Sequence, residues 1–312
     1  MAWTVTTGTV SGTAGSLITA LDLELVTNRG WTKEFSGTNK AAYRNSALAL
    51  ARKYMRVVDD GTAPTSGARE SLVQGYATMS TVDAGTGQFP TSGDAYIRKS
   101  SLADATARTY LAVGDDKTFY LFVLTGDTAN QYLSHGFGDF YSYKPADTQA
   151  CILFARPVNT TSSSEWSFFW QWNNSTYGAN SANYIGGSIV GVPGETTLCK
   201  TVSGAVQIAN YGAEAVNSHI PFPNVADGAI WVSPYQMLTS AGGSTVVDKV
   251  LRGKLRGIYY PMHNSVNFSD GDTFNGAGDL AAKSFRILKG VGFNGTSTYV
   301  GAVETTEPES ST

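Results

Sequence analysis

From Ser16 onward the chain sets Leu17, Leu21 and Leu25 four residues apart, with Ile18 beside them. Apolar side chains at that interval line one face of a helix. Thr13-Ala-Gly-Ser16 offers hydroxyls for an N-cap and Asn28-Arg-Gly30 offers a stop, so the pattern predicts a short amphipathic helix over Ser16–Thr27. After Gly30 the period falls to two. Alternation bounded by turn residues predicts strands over Ala47–Val58, Ala68–Met79, Tyr184–Val190, Val202–Tyr211, Ala229–Val232, Lys254–Tyr260 and Lys283–Leu288. Arg108–Val113 and Thr118–Leu124 flank Gly114-Asp-Asp-Lys117 as a hairpin, and Gly136–Tyr143 pairs likewise with Gln149–Arg156. Within Glu165–Asn173, Trp166, Phe168, Trp170 and Trp172 fall on one face.

Many short strands separated by Gly, Pro and Asp turns predict a mainly β protein: an antiparallel β-sandwich, jelly-roll-like, with a short N-terminal helix. Residues 1–30 read as an N-terminal arm and helix. Residues 31–303 read as the β-sandwich, one domain or two divided near residue 100, and 304–312 as a disordered acidic tail. One internal echo is visible. Arg52-Lys-Tyr-Met-Arg-Val-Val-Asp-Asp-Gly61 parallels Arg108-Thr-Tyr-Leu-Ala-Val-Gly-Asp-Asp-Lys117, each a strand running into an Asp-Asp turn.

Composition narrows the function classes. Charged residues are 15% of the 312, against about 25% in an ordinary soluble domain. The place of charge is taken by 34 Gly and by 16 Tyr, 14 Phe and 6 Trp, a strand-and-turn composition. A net charge of −3 supplies no basic field for nucleic acid or an anionic membrane surface. No apolar run approaches the ~18 residues of a spanning helix. The opening Met1-Ala-Trp-Thr-Val-Thr-Thr-Gly lacks the basic and apolar regions of an export signal, which predicts a reducing compartment. Cys151 and Cys199 are then expected as buried free thiols, with no zinc spacing between them.

Motifs for chemistry are sparse. His135, His219 and His263 stand apart, and no serine elbow, Walker loop or HExxH is present. Gly276-Ala-Gly278-Asp-Leu-Ala281 fits the loose dinucleotide pattern but runs into a strand rather than a crossover helix. Asp270-Gly-Asp272-Thr-Phe-Asn275, with Asp279, offers oxygen ligands, yet Phe274 and Asn275 sit where a calcium loop needs Asp/Asn and then Gly. A plain Asp-rich turn is the simpler reading. Asp139, Asp147 and Glu165 are the carboxylates to consider for glycoside hydrolysis. Two apolar rows are candidate interfaces: Leu17, Leu21 and Leu25, and Trp166, Trp170 and Trp172. The leucine stripe either contacts another copy or docks on its own sheet; the tryptophan row covers a core, faces a subunit or stacks on a sugar.

Several segments taken together carry a resemblance. They are Asn28-Arg-Gly-Trp31, Asp83-Ala-Gly-Thr-Gly-Gln-Phe-Pro90, Gly114-Asp-Asp-Lys-Thr-Phe-Tyr-Leu-Phe122, Gly136-Phe-Gly-Asp-Phe-Tyr-Ser-Tyr143 and Leu255-Arg-Gly257-Ile-Tyr-Tyr-Pro-Met-His263. This succession, spread over residues 15–290, resembles virion structural proteins of tailed bacteriophages. The resemblance implies a component of the tail, neck or baseplate, made in the bacterial cytoplasm and located in the virion. Its implied partners are copies of itself in a ring and other tail or neck proteins. It brings no catalytic residue, no cofactor and no metal. The competing class is a carbohydrate-binding module or glycan-active enzyme on a β-sandwich scaffold.

Overall fold

The computed structural model describes residues 1–157, apart from 50, 64–66, 90–94, 128–129, 131 and 149. Beyond these it describes 182–185, 195–202, 223–224, 228–241, 249–263, 265–291 and 298–308. Strand β1 (Thr4–Val10) leads into helix α1 (Ser16–Leu21), which continues as a π-helical segment over Asp22–Thr27. Then come β2 (Thr32–Gly37), β3 (Lys40–Arg44), β4 (Tyr54–Val58), β5 (Glu70–Tyr76), β6 (Thr78–Thr81), β7 (Ala84–Thr86) and β8 (Ala95–Arg98). The central strands are β9 (Arg108–Gly114), β10 (Thr118–Leu124), β11 (Tyr132–Asp139), β12 (Tyr141–Ser142), β13 (Cys151–Pro157) and β14 (Ala182–Ile185). The last six are β15 (Glu195–Val202), β16 (Val232–Ala241), β17 (Lys249–Pro261), β18 (Thr273–Asn275), β19 (Ser284–Val291) and β20 (Thr298–Glu304).

These strands form two large sheets and one small ribbon. The first sheet runs β1-β9-β10-β11-β13-β8-β5-β4-β3-β2, with β14 also on β13. The second runs β15-β16-β17-β20-β19-β18, with β12 on β17, and β6 pairs β7 apart from both. Pairing is antiparallel throughout these ladders. The mainly β, antiparallel class expected from period-two alternation is therefore the observed one. Strand pairing runs across residue 100, since β8 lies between β13 and β5. The two sheets share a core. Tyr120, Phe122 and Phe137 of the first cluster with Leu255, Ile258, Leu288 and Val303 of the second. Their alternate neighbours Tyr259, Ile287 and Ala302 form a smaller cluster with Phe268 and Phe285, as the period of two requires.

The helix forms where the leucine spacing placed it. An α turn overshoots slightly at each fourth residue and a wider π turn undershoots, so the change at Asp22 holds Leu17, Leu21 and Leu25 on one line. Gly30, at φ +70°, turns the chain out of the helix. The predicted hairpin β9–β10 is present, and β11 pairs β13. Three expectations are corrected. The strand predicted over Ala47–Val58 begins only at Tyr54, because Asn45 closes the preceding stretch as a loop, donating to Lys117 O (3.2 Å) and accepting from Lys53 N (3.0 Å). The N-terminal arm is an edge strand, since Thr4–Val10 pairs residue for residue with β9. Glu304 does not open a disordered tail: it ends β20, fully buried, and its carbonyl accepts from Trp3 Nε1 at 2.7 Å.

Candidate functional site

The helix lies between the two ends of the first sheet, and its polar side chains show how. Asp22 faces the β2–β3 end, where it meets Lys33 Nζ at 2.8 Å and accepts from Tyr43 OH at 2.9 Å. Glu24 faces the β1–β9 end. Its carboxylate accepts from Thr6 Oγ1 (2.6 Å), Arg29 Nη1 (2.5 Å), Asn28 Nδ2 (3.2 Å) and Tyr110 OH (3.0 Å). Arg29, itself fully buried, donates to Glu24 O and Ala112 O at 2.9 Å and lies 5.4 Å from the Phe119 ring centre. Burial pulls the Glu24 carboxyl upward, but the bonds from Thr6, Arg29 and Asn28 outweigh it and hold the group below the usual carboxylate range. Leu17, Leu21 and Leu25 are all buried in the core shared with the sheet. Of the two readings of that stripe, docking within its own chain is the one realised: the three leucines are 0%, 1% and 0% exposed and leave no open face for a contact.

Turning Glu24 and Arg29 inward turns other residues outward. Leu23 is 50% exposed and Val26 36% exposed, three residues apart on the outer face of the helix. Two further large apolar side chains stand out at the second sheet. Trp231 is 48% exposed and Val266 is 75% exposed, and the chain segments bearing them are joined by His263 Nε2 accepting from Trp231 N at 2.8 Å.

The two Asp-Asp turns of the sequence echo prove to be equivalent sites. In each, the first Asp is buried against a cation far away in sequence. Asp59, just after β4, pairs with Lys99, and both side chains are fully buried. Its Oδ2 accepts from Leu17 N at 2.8 Å, which ties the start of the helix to β4. Asp115, just after β9, takes Arg256 of β17 in a two-pronged bond at 3.0 and 2.7 Å, joining the first sheet to the second. Burial lowers the Arg256 proton affinity, yet the Asp115 bonds and charge more than reverse that. Trp3 completes this junction: its ring centre lies 5.7 Å from the Arg256 guanidinium and it packs on Gly257. Gly257 sits at φ +65°, and a Cβ there would come within 2.4 Å of the indole. The second Asp of each turn stays nearer the surface: Asp60 accepts from Thr62 N at 3.0 Å, and Asp116 meets the N-terminal amine at 3.1 Å.

The remaining predicted candidates fall as follows. His135 is buried on β11, and among the described residues neither ring nitrogen has a well-aligned hydrogen-bond partner. Burial pushes its imidazole down to about 3, against a lesser opposing effect of the Arg98 backbone. His219 lies outside the described residues. Asp270 accepts from Tyr132 OH (2.9 Å) and Lys289 N (3.0 Å), and Asp272 from Ser269 N (2.6 Å). Of these two carboxylates only Asp272 bonds its own turn; Asp270 ties the loop to β11 and β19. Among the described residues no three His, Cys, Asp or Glu side chains converge as metal ligands do. Asp139 is buried and accepts from Ala51 N at 3.2 Å; Asp147 is buried and accepts from Ser142 Oγ at 2.7 Å. Glu165 and the row Trp166, Trp170 and Trp172 lie outside the described residues. Cys151 is a buried free thiol, its pKa driven well up by burial and by Asp139. Cys199 falls in β15, where side chains lie outside the description. Among the described residues no helix is long and apolar enough to cross a membrane. Comparison with family models and with curated proteins finds no match.

Proposed function

We propose that the chain is a structural component of a tailed-bacteriophage virion, acting through protein–protein contacts rather than turnover. The observation that carries this reading is the inverted polarity of the second half of the helix. A surface helix ordinarily turns its carboxylates and guanidinium to water and its apolar side chains to the core. Here Glu24 and Arg29 are buried, while Leu23 and Val26 face out. Apolar residues left outside on an otherwise committed helix suit contact with another protein, which removes them from water. The buried charges support the same reading, because each buried carboxylate described above is consumed in bonds that hold strands, turns or helix in place. The resemblance of residues 15–290 to phage virion proteins names the setting: the tail, neck or baseplate, with further copies of the chain and other tail or neck proteins as neighbours.

The test has two parts. The mass of the purified protein in solution, measured by light scattering over a range of concentrations, is expected to exceed that of one chain. Antibody labelling or imaging is expected to find the chain in purified particles. A wild-type protein that stays monomeric at high concentration and is missing from particles overturns the proposal.

A further inference from the structure

Four ion pairs are withdrawn from water among the described residues: Glu24–Arg29, Asp115–Arg256, Glu70–Arg98 and Asp59–Lys99. Three use arginine and one uses lysine, and that difference decides what chemistry each can do. A guanidinium keeps its proton and offers no lone pair. An ε-amine held out of water gives up its proton far more readily and then becomes a nucleophile. Lys99 sits immediately after β8 and Asp59 immediately after β4, with β5 between them supplying Ser71. The carboxyl is held on three sides. Oδ2 accepts from Leu17 N at 2.8 Å, Oδ1 accepts from Ser71 Oγ at 2.8 Å, and Lys99 Nζ donates to Oδ1. The amine is positioned in turn by Thr13 O at 2.6 Å and Ser16 Oγ at 3.1 Å. Burial lowers the proton affinity of Lys99 and raises that of Asp59, so both effects move the pair toward neutral amine and carboxylic acid.

We propose that Lys99 Nζ and Asp59 Cγ condense into an intramolecular isopeptide bond that fastens β4 to β8 across β5. The ammonium first passes one proton to Asp59 Oδ1 along their hydrogen bond. The Nζ lone pair then attacks Cγ, and the electrons of the Cγ–Oδ2 double bond move onto Oδ2, where the Leu17 N–H meets the developing charge. The second Nζ proton goes to the same Oδ1, with the Ser71 hydroxyl placed to relay it. Oδ1 leaves as water as the Cγ–Oδ2 double bond re-forms. One C–N bond forms and one C–O bond breaks; nothing is oxidised or reduced, and no co-reactant is needed. The product is a neutral amide in a site from which water is excluded, replacing two buried charges. Asp115–Arg256, Glu24–Arg29 and Glu70–Arg98 stay as ion pairs because their cation cannot attack.

The experiment is peptide mapping of the denatured, trypsin-digested full-length chain by mass spectrometry. The expected result is a branched peptide joining the Asp59 and Lys99 segments, one water lighter than the two together, with no cleavage after Lys99. Lys99→Arg is expected to abolish the branched peptide, and mapping of the denatured chain reads this whether or not the variant folds. Ordinary cleavage after Lys99 in the wild type, with no branched peptide, overturns the proposal in favour of an unreacted ion pair. Persistence of the branched peptide in Lys99→Arg overturns the assignment to Lys99.

Discussion

Asp115→Ala tests how the two sheets are joined. The carboxylate receives Arg256 Nη1 at 3.0 Å and Nη2 at 2.7 Å, and Oδ1 also receives the backbone N–H groups of Lys117 and Thr118, each at 2.9 Å. Removing one partner of a buried ion pair costs about 3–5 kcal/mol, because the surviving charge stays in a medium that solvates it poorly. An orphaned buried N–H, as at Thr118, adds roughly 1 kcal/mol or more. The loss, about 4–6 kcal/mol, is a large share of the roughly 5–15 kcal/mol that holds a folded domain. Arg256→Met is expected to cost less, since Asp115 then keeps both turn N–H bonds and loses only its distant partner. Combining the two removes the bare guanidinium. The double variant is therefore expected to be more stable than Asp115→Ala alone, by on the order of 2 kcal/mol. Urea unfolding followed by tryptophan fluorescence reads this directly, because Trp3 packs against Arg256. Strictly additive losses in the double variant would refute the claim that Asp115 and Arg256 act as one junction.

Four further outcomes follow from the same geometry. His135 is neutral and buried with its pKa near 3, against 6.5 when unfolded, so the unfolded chain takes up the proton first. Its contribution to stability is intact above pH 6.5 and is lost as the pH falls toward 3, at up to about 1.4 kcal/mol per pH unit; His135→Phe should flatten that slope in acid-unfolding curves. Leu21→Ala should cost about 2–5 kcal/mol by thermal unfolding, as a cavity in the shared core, whereas Leu23→Asp should leave stability within about 0.5 kcal/mol and weaken self-association measured by light scattering. Gly257→Ala should destabilise the Trp3 junction, since the residue must hold φ +65° with its Cβ 2.4 Å from the indole, and a blue-to-red shift in native tryptophan emission would report it. Cys151 should react with a thiol reagent only at the rate of unfolding, because burial keeps it a thiol; fast labelling of native protein would contradict this.

What the sequence disclosed and what it hid divide along physical lines. Local periodicity carried the helix, the β9–β10 hairpin and the β-rich class, because each depends on neighbours within a few residues. It missed β1 and β20, whose strand character comes from partners about a hundred residues away in one case and from the second sheet in the other, and it also missed β8 and the local β2–β3 hairpin. Asn45 and Asp139 broke the strand expected at Ala47, through side-chain bonds to backbone that no alternation pattern contains. The Asp-Asp echo was the one sequence signal for the buried ion pairs. It showed only two strands running into the same acidic turn, and Lys99 and Arg256, which make those turns ion-pair sites, lie 40 and 141 residues away and share no motif.

The helix shows the sharpest limit, and it bears on function. Its sequence offers two apolar rows, Leu17-Leu21-Leu25 and Leu23-Val26, separated by Glu24. Polarity alone assigns Glu24 to water and so leaves the second row unremarkable. Glu24 goes inside instead, because three neutral donors and the Arg29 cation meet its carboxylate there and satisfy it better than an apolar pocket would allow. Once Glu24 and Arg29 are inside, a helix of fixed pitch has no freedom to hide Leu23 and Val26 as well. Their exposure is thus a consequence of the buried ion pair, and it predicts a coupling. Glu24→Leu combined with Arg29→Leu should preserve the helix yet relax its fixed rotation, lowering self-association without any change at Leu23 or Val26 themselves. Unchanged self-association in that folded double variant would separate the ion pair from the contact face and remove the ground for linking the two.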